Sequence, residues 1–485
     1  MRRIGLDLAL RAPHRAAIFD DGNAVGGSFA VPRNKSGIDD LLRRATAHHE
    51  GPCEFIMEPT GLAWLALAAE LVRRGHRTYV PKPQKTYALR KFLHNHTKTD
   101  GTDARAGALL RHVDPEGVHE LQVPSAEQFA LQMFVKQRAR LVADSSKCKQ
   151  RVRALLVLAH PLLSEVLGDR LFSAFGRAVL RKHLDPARLV ERGRGHLRRL
   201  WSEKVRSPVD DQFDKLWSAY EEAVALYADL RNENRLPFDY QHMQHVIDQE
   251  LDALEFLEQQ IAALEHKIRR LYQTVDPAQV LLGVPGIGIV IGAALQALIG
   301  DISRFPTVKA FASYTGLVPK TNLTAGEGKP GQRMTKAGSD LIKQYLFLAA
   351  ETARRRDPEL AATYASAIER GKHHNSAIGI VAHKLARHVY AVLKQQTVSG
   401  SEEALYRFRR PDDGTKLTEA DAVAYVRANY PSKTERARRE KAARNFPKTG
   451  SPEGATKGSV PAPPTEALPA RHSCGKYQEQ LVDSP

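Results

Sequence analysis

Cysteine is scarce in this 485-residue chain. There are three, Cys53, Cys148 and Cys474, and their wide separation and odd number supply neither a disulfide framework nor a zinc-binding spacing. Long hydrophobic runs are absent too. The longest apolar stretches, Leu62–Ala69 and Ile287–Ile299, fall short of the ~18 residues needed to cross a bilayer. At the N-terminus, Asp7 interrupts MRRIGLDLAL where a signal peptide would carry an unbroken apolar core. These absences predict a soluble, cytoplasmic protein of a reducing compartment. Positive charge, by contrast, is plentiful: 72 Lys and Arg oppose 55 Asp and Glu, a formal net charge of +17. Such an excess favours a polyanionic partner, of which nucleic acid is the commonest. With 42% hydrophobic residues the chain is not wholly disordered, and its length predicts roughly two to four domains.

The first part, residues 1–115, reads as an α/β domain. Short apolar runs at Arg3–Ala9, Arg15–Phe19 and Gly27–Val31 predict strands, with Asp20-Asp21-Gly22-Asn23 as a hairpin turn. Ser36 is expected to cap a helix carrying Ile38, Leu41 and Leu42. Further strands are expected at Cys53–Met57 and Thr78–Val80, flanking a helix over Gly61–Arg74. The pattern predicts a mixed sheet with helices on both faces. Residues 116–275 read as helical, basic between 125 and 160, with an inserted helical subdomain at about 165–245. A seam of Leu254, Leu257, Ile261, Leu264, Ile268 and Leu271, spaced by threes and fours, predicts a coiled coil. Its partner is either the 125–160 helix folded back antiparallel or the same helix of a second protomer. Residues 276–397 read as a second, mainly α-helical unit, and 398–485 as a basic, largely disordered tail.

Four acids carry the chemistry. Asp7 lies within an apolar strand pattern, Glu58 ends another, and Asp100 and Asp103 open the helix 100–112. Each alone has an ordinary explanation: a solvated strand face, an exposed strand end, a helix cap. Together they have a common one. Spacing by three places Asp100 and Asp103 on one helix face, and strand ends of open α/β sheets are where ligands bind. Carboxylates from separate elements can hold Mg²⁺, and two such ions would stabilise the attacking and leaving oxygens of a phosphodiester displacement.

Ile4-Gly5-Leu6-Asp7, Met57-Glu58-Pro59-Thr60-Gly61 and Thr99-Asp100-Gly101-Thr102-Asp103-Ala104 resemble the D–E–D–D pattern of the IS110-type transposases. The resemblance implies a RuvC-like, ribonuclease H-type N-terminal fold in which Asp7, Glu58, Asp100 and Asp103 bind Mg²⁺ or Mn²⁺. The stretch Phe305–Gly338, with Tyr314-Thr315-Gly316-Leu317-Val318-Pro319 and Met334-Thr335-Lys336-Ala337-Gly338, and the segment Arg370–Asn375 resemble the same family's C-terminal domain. There the family places a nucleophilic serine just before a glycine. This chain has Thr321-Asn322-Leu323-Thr324-Ala325-Gly326-Glu327-Gly328, so that position falls on Thr324 or Ala325. Of the two only threonine has a hydroxyl able to attack; Ser339 is an alternative nucleophile, or the cap of the next helix.

Leu282-Gly283-Val284-Pro285-Gly286-Ile287-Gly288 reads as a helix–hairpin–helix-like turn whose Gly286 and Gly288 can present backbone N–H groups to a DNA phosphate. Lys320, Lys329, Arg333, Lys336, Lys372 and His374 are further expected phosphate contacts. The family resemblance also implies a structured noncoding RNA partner and a homo-oligomer, dimer or tetramer. Two competing functions remain: a junction nuclease using the four acids and water alone, and an inactive nucleic-acid-binding relative.

Overall fold

The computed structural model of the chain describes residues 1–58, 61–94, 99–206, 208–320, 323–324, 327–328, 332, 334–335, 338–399, 406–432, 434–435 and 438. Residues 1–430 form one compact unit, and 431–485 a second. No helix among the described residues is long and apolar enough to cross a membrane.

The N-terminal part is built on β1 (Arg2–Asp7), β2 (His14–Asp20), β3 (Asn23–Ala24), β4 (Phe29–Val31), α1 (Lys35–Thr46), β5 (Glu54–Met57), α2 (Ala63–Arg73), β6 (Arg77–Pro81), α3 (Pro83–His94), α4 (Asp100–Val113) and β7 (Val118–Glu120). The sheet runs in the order β3-β2-β1-β5-β6-β7, with β4 also on β2. It is mixed, as predicted: β1 is antiparallel to β2 and parallel to β5, while β6 is parallel to β5 and antiparallel to β7. The hairpin turn is formed by Asp21 and Gly22, both at positive φ, at the expected place.

Alternation along the strands splits the core in two. Ile4, Leu6, Phe55 and Met57 pack with Leu41 and Leu42 of α1 and Leu67 and Leu71 of α2. Ala17 and Phe19 face Ala104 and Ala108 of α4 on the other side, and Ile56 packs with Leu110 there. One sequence expectation needs correction, and one strand was not expected. The cap of α1 is Asn34, whose side chain accepts the Gly37 N–H at 2.9 Å, rather than Ser36. Strand β7, the short edge partner of β6, gave no sequence signal at three residues.

Two long helices leave this domain and return: α5 (Ala126–Ala159) and, after an excursion, α12 (Tyr240–Val275). Arg138 pairs with Glu265, Lys149 with Glu258 and Arg151 with Glu250; the descending order of partners shows the two helices packed antiparallel within one chain. The excursion holds α6 (Leu163–Leu167), α7 (Ala174–Lys182), α8 (Pro186–Arg192), α9 (Arg194–Lys204), α10 (Asp210–Leu226) and α11 (Ala228–Asn232). It has its own core, in which Phe175, Trp201, Phe213 and Tyr220 pack against one end of the helix pair.

The C-terminal part comprises α13 (Ile289–Ile299), α14 (Val308–Thr315), β8 (Leu323–Thr324), β9 (Glu327–Gly328), α15 (Asp340–Ala353), α16 (Pro358–Glu369), α17 (His374–Ser399), β10 (Phe408–Arg409), β11 (Lys416–Leu417) and α18 (Glu419–Asn429). Its core takes in Leu131, Val135, Ile268 and Tyr272 from the other end of the helix pair. Regular structure continues past residue 398, where the sequence suggested it would end. The β10–β11 hairpin buries Phe408, and the Tyr406 hydroxyl donates to the buried Asp357 at 2.9 Å.

Candidate active site

The four acids come from three elements that the fold sets side by side. In the β1–β5 register Leu6 stands beside Met57, so Asp7 and Glu58 follow at the carboxyl ends of neighbouring parallel strands. Side chains two apart share a strand face. Gly5 and Ile56 both face α4, so alternation puts Asp7 on the face that α4 covers, and Glu58 follows directly after the last residue of β5. Helix α4 runs antiparallel to β1. Arg3 reaches His112 at 3.2 Å near the helix's end, whereas a Cβ on Gly5 would meet the Ala104 carbonyl. The first turn of α4, with Asp100 and Asp103, thus sits at the Asp7 end.

Local chemistry explains the helix start without using either acid as a cap. Thr99 accepts from the Thr102 N–H at 3.2 Å, and the Thr102 hydroxyl accepts from the Thr99 N–H at 3.0 Å. Asp100 and Asp103 then stand in the first turn, where the helix dipole favours negative charge. Asp103 is paired with Arg90 of α3 at 2.7 Å, a partner that sequence reading missed because α3 carried no motif. Asp7 and Asp103 are half-buried, and Glu58 and Asp100 are exposed.

The donor set fits a hard divalent cation, since all four groups are carboxylates. As the side chains stand, however, no group of three or more His, Cys, Asp or Glu among the described residues is gathered closely enough to hold an ion. Pro59 and Thr60 of the second motif, and residues 95–98 ahead of the third, lie outside the described residues.

The other candidates stand on the C-terminal core. Gly286 has φ of +80°, and a Cβ there would approach the Ala349 carbonyl to 2.2 Å, so only glycine fits. Gly288 is the N-cap of α13 and brings no capping side chain. The element before this turn is a single 3₁₀ turn, Val280–Gly283, rather than a full helix; the helix–hairpin–helix comparison therefore holds only for its second half. Lys320 is exposed beside the Pro319–Met334 bridge that closes the loop. Within the loop, Thr324 pairs with Glu327 across β8 and β9. Ala325, Lys329, Arg333 and Lys336 lie outside the described residues. Ser339 caps α15, its hydroxyl accepting from the Ile342 N–H at 3.3 Å. Lys372 is exposed in the turn before α17. His374, the first residue of that helix, bonds the Tyr364 hydroxyl at 2.9 Å.

Comparison with known proteins follows the same division. A transposase model, the DEDD transposase of IS110, matches residues 4–161. A second, described as transposase IS116/IS110/IS902 family, matches residues 278–365. The chain belongs to the IS110 family of transposases. The insertion element IS110 43.6 kDa protein of Streptomyces coelicolor is 24% identical over 397 residues, 81% of this chain and 94% of the relative. A "probable family 20 transposase" of Pseudomonas aeruginosa is 26% identical over 406 residues, 82% and 98% of the two chains. The pilin gene-inverting protein of Moraxella lacunata is 22% identical over 369 residues, 75% and 87%. Both matched segments of this transposase carry candidate residues, and the helical excursion lies between them.

Proposed function

We propose that this IS110-family transposase cleaves and rejoins DNA in a divalent-metal-dependent reaction at the ends of its insertion element. The reading is supported by Asp7 and Glu58 standing at the carboxyl ends of the neighbouring parallel strands β1 and β5 and by Asp100 and Asp103 in the first turn of α4, which packs on β1. Mg²⁺ or Mn²⁺ held there would polarise the scissile phosphate and stabilise the attacking and leaving oxygens. Asp7 and Glu58 supply ligands from strand ends, which fixes their spacing. Asp100 and Asp103 would supply ligands from α4, where Asp103 is paired with Arg90.

The hydroxyl that attacks DNA comes from the C-terminal part, where the family's motif position falls on Thr324 or Ala325 and only Thr324 has a hydroxyl. Gly286, Gly288, Lys320, Lys329, Arg333, Lys336, Lys372 and His374 hold backbone phosphates around it. The acids lie on the N-terminal sheet and α4 and Thr324 lies in the C-terminal part, a division that would suit an active site completed between protomers of a dimer or tetramer. A structured noncoding RNA of the element is the partner that would align donor and target DNA. The absence of serine from the loop 321–328 supports a second reading, RuvC-like hydrolysis by water.

A supercoiled plasmid carrying the reading frame and its flanking DNA tests the proposal. Cleavage should require Mg²⁺ or Mn²⁺ and fall at least ~10³-fold in Asp7→Ala and Glu58→Ala, with DNA binding retained. Cleavage that survives EDTA, or survives both substitutions, refutes it.

A further inference from the structure

Helix α3 turns one side to the sheet and the other to solvent. Thr86 is buried, and Leu89 packs with Ile56, Leu110 and Val118. On the opposite side Tyr87, Ala88, Lys91 and Phe92 form a continuous exposed stripe, each pair four residues apart lying one turn above the other. Tyr87 is 57% exposed and Phe92 85%, the highest exposure of any large hydrophobic side chain among the described residues. Aromatic rings are ordinarily packed, because each holds a large apolar surface. Two of them on one open helix face, with a lysine beside them, mark a contact surface.

Arg90 ties this stripe to the candidate active site. Its guanidinium lies 5.2 Å from the Tyr87 ring centroid and donates to Asp103 at 2.7 Å, so one side chain spans from the ring to the first turn of α4. Charge names the class of partner. Between residues 71 and 99 the sequence holds eight Lys and Arg and no Asp or Glu. Two copies of α3 packed on each other would set like charges together, whereas phosphates complement them. Rings and cations without acids are the composition of a surface that stacks nucleic-acid bases. A base offers its flat face only where it is unpaired or ends a helix, so the ligand is opened DNA rather than closed duplex.

We propose that Tyr87 and Phe92 form a stacking platform for an unpaired base of the DNA strand held at the carboxylates, with Lys91 on an adjoining phosphate. The inference rests on the DNA-cleaving reading above and extends it to the form of the substrate. The duplex opens beside the scissile phosphate, and the two rings replace the stacking that the base gives up. Lys91 contributes a phosphate contact that carries no sequence information. These are positioning residues: α3 makes and breaks no bond, and holds the opened strand so that its phosphate stays at the four acids.

Cleavage positions are first mapped on the plasmid. The full-length protein is then bound, with Ca²⁺ in place of Mg²⁺, to duplexes spanning such a position that carry 5-iododeoxyuridine at single sites, irradiated and digested with trypsin. Trypsin cuts after Lys85, Arg90, Lys91 and Lys98, so the two rings fall on separate peptides, 86–90 and 92–98. A crosslink to one or both is expected from sites within a few nucleotides of the cleavage position. Tyr87→Ala and Phe92→Ala should leave thermal unfolding unchanged, since both rings are exposed, and each should slow cleavage of fully paired duplex about 10–100-fold. Phe92→Trp should retain the wild-type rate. A mismatch at the crosslinked position should restore most of the loss, which damage to the fold would not allow. Unchanged cleavage of paired duplex in both alanine variants, or crosslinks that avoid both peptides, overturns this inference and leaves metal-dependent cleavage standing. Self-association lost in Phe92→Ala with cleavage intact gives the face to a second copy and also overturns it. Absence of cleavage by the wild-type protein overturns the proposed function, and this inference with it.

Discussion

Gly5 decides how closely α4 can approach β1, and with it where Asp100 and Asp103 stand. A Cβ at residue 5 would fall 1.8 Å from the Ala104 carbonyl oxygen and 2.7 Å from the Ala108 nitrogen. Both are backbone atoms of a helix and cannot swing aside as a side-chain tip would. In Gly5→Ala the helix must retreat by more than 1 Å to reach even a tight 3.0 Å contact. Overpacking of this kind costs about 1–3 kcal/mol, and a clash with backbone belongs at the upper end. Gly107, on the same helix, provides the control. Its Cβ would meet only Ile56, at 3.8 Å, an ordinary contact, and alanine in a helix interior gains about 0.5–1 kcal/mol over glycine. The two substitutions add the same methyl group to one interface and should have opposite signs.

Hydrogen exchange of the α4 amides reads the difference directly, because local opening energies add to or subtract from protection. Protection should fall by about 3 kcal/mol equivalent in Gly5→Ala and rise slightly in Gly107→Ala. The metal-dependent cleavage should fall in Gly5→Ala, since a displaced helix carries two of the four acids with it. Unchanged α4 protection in Gly5→Ala would refute the reasoning, as would equal effects of the two variants.

Three other outcomes follow from particular contacts. Arg90→Gln removes the cation paired with Asp103 at 2.7 Å; Mn²⁺ binding measured by calorimetry should tighten several-fold, and weaker binding would show that Arg90 supports the site. Burial depresses His160 to about 4, and neither ring nitrogen has a hydrogen-bond partner among the described residues. The folded state therefore favours the neutral ring: its stability contribution is full above the ordinary pKa of ~6.5 and is lost as pH falls from there through about 4, a span worth about 3 kcal/mol. Exchange protection in α6 to α10 should drop through that window ahead of the C-terminal core, and a flat profile would contradict it. Arg181 reaches Asp252 at 2.6 Å and Glu255 at 3.2 Å on α12. Arg181→Ala should loosen α7 by about 1 kcal/mol at low salt and much less in 1 M salt, because such part-exposed pairs are screened.

Patterns that repeat along the chain were legible in the sequence, and pairings across it were not. The β1 and β5 strands, the Asp21-Gly22 turn and the start of α4 follow from apolar runs and turn chemistry within a few residues. The D–E–D–D acids were singled out because their flanking residues form motifs, and the parallel β1–β5 register sets Asp7 and Glu58 at the ends of neighbouring strands. Arg90 was invisible because nothing local marks an arginine destined for an aspartate 13 residues away. Of the two partners open to the α12 seam, the structure has α5 folded back antiparallel against it, but Leu257, Ile261 and Leu264 are only half-buried. Two helices alone cannot enclose a stripe that wide.

That helix pair also explains how the chain accommodates its excursion. Helix α5, at 34 residues, and α12, at 36, each extend about 50 Å. One end of the pair is locked into the C-terminal core through Leu131, Val135, Ile268 and Tyr272. The other end is locked into the separate core of α6 to α10 through Val152, Leu156, Ile247 and Leu251. Because the helices are antiparallel, chain leaving the tip of α5 returns at the tip of α12 whatever its length. Residues between 162 and 239 therefore change neither the register of the pair nor its docking on the C-terminal core. The acids and hydroxyls on which the proposed reaction depends all lie outside this excursion. Destabilising it, by low pH at His160 or by loss of Arg181, should therefore leave α4 protection intact, which separates failure of the excursion from failure of the site.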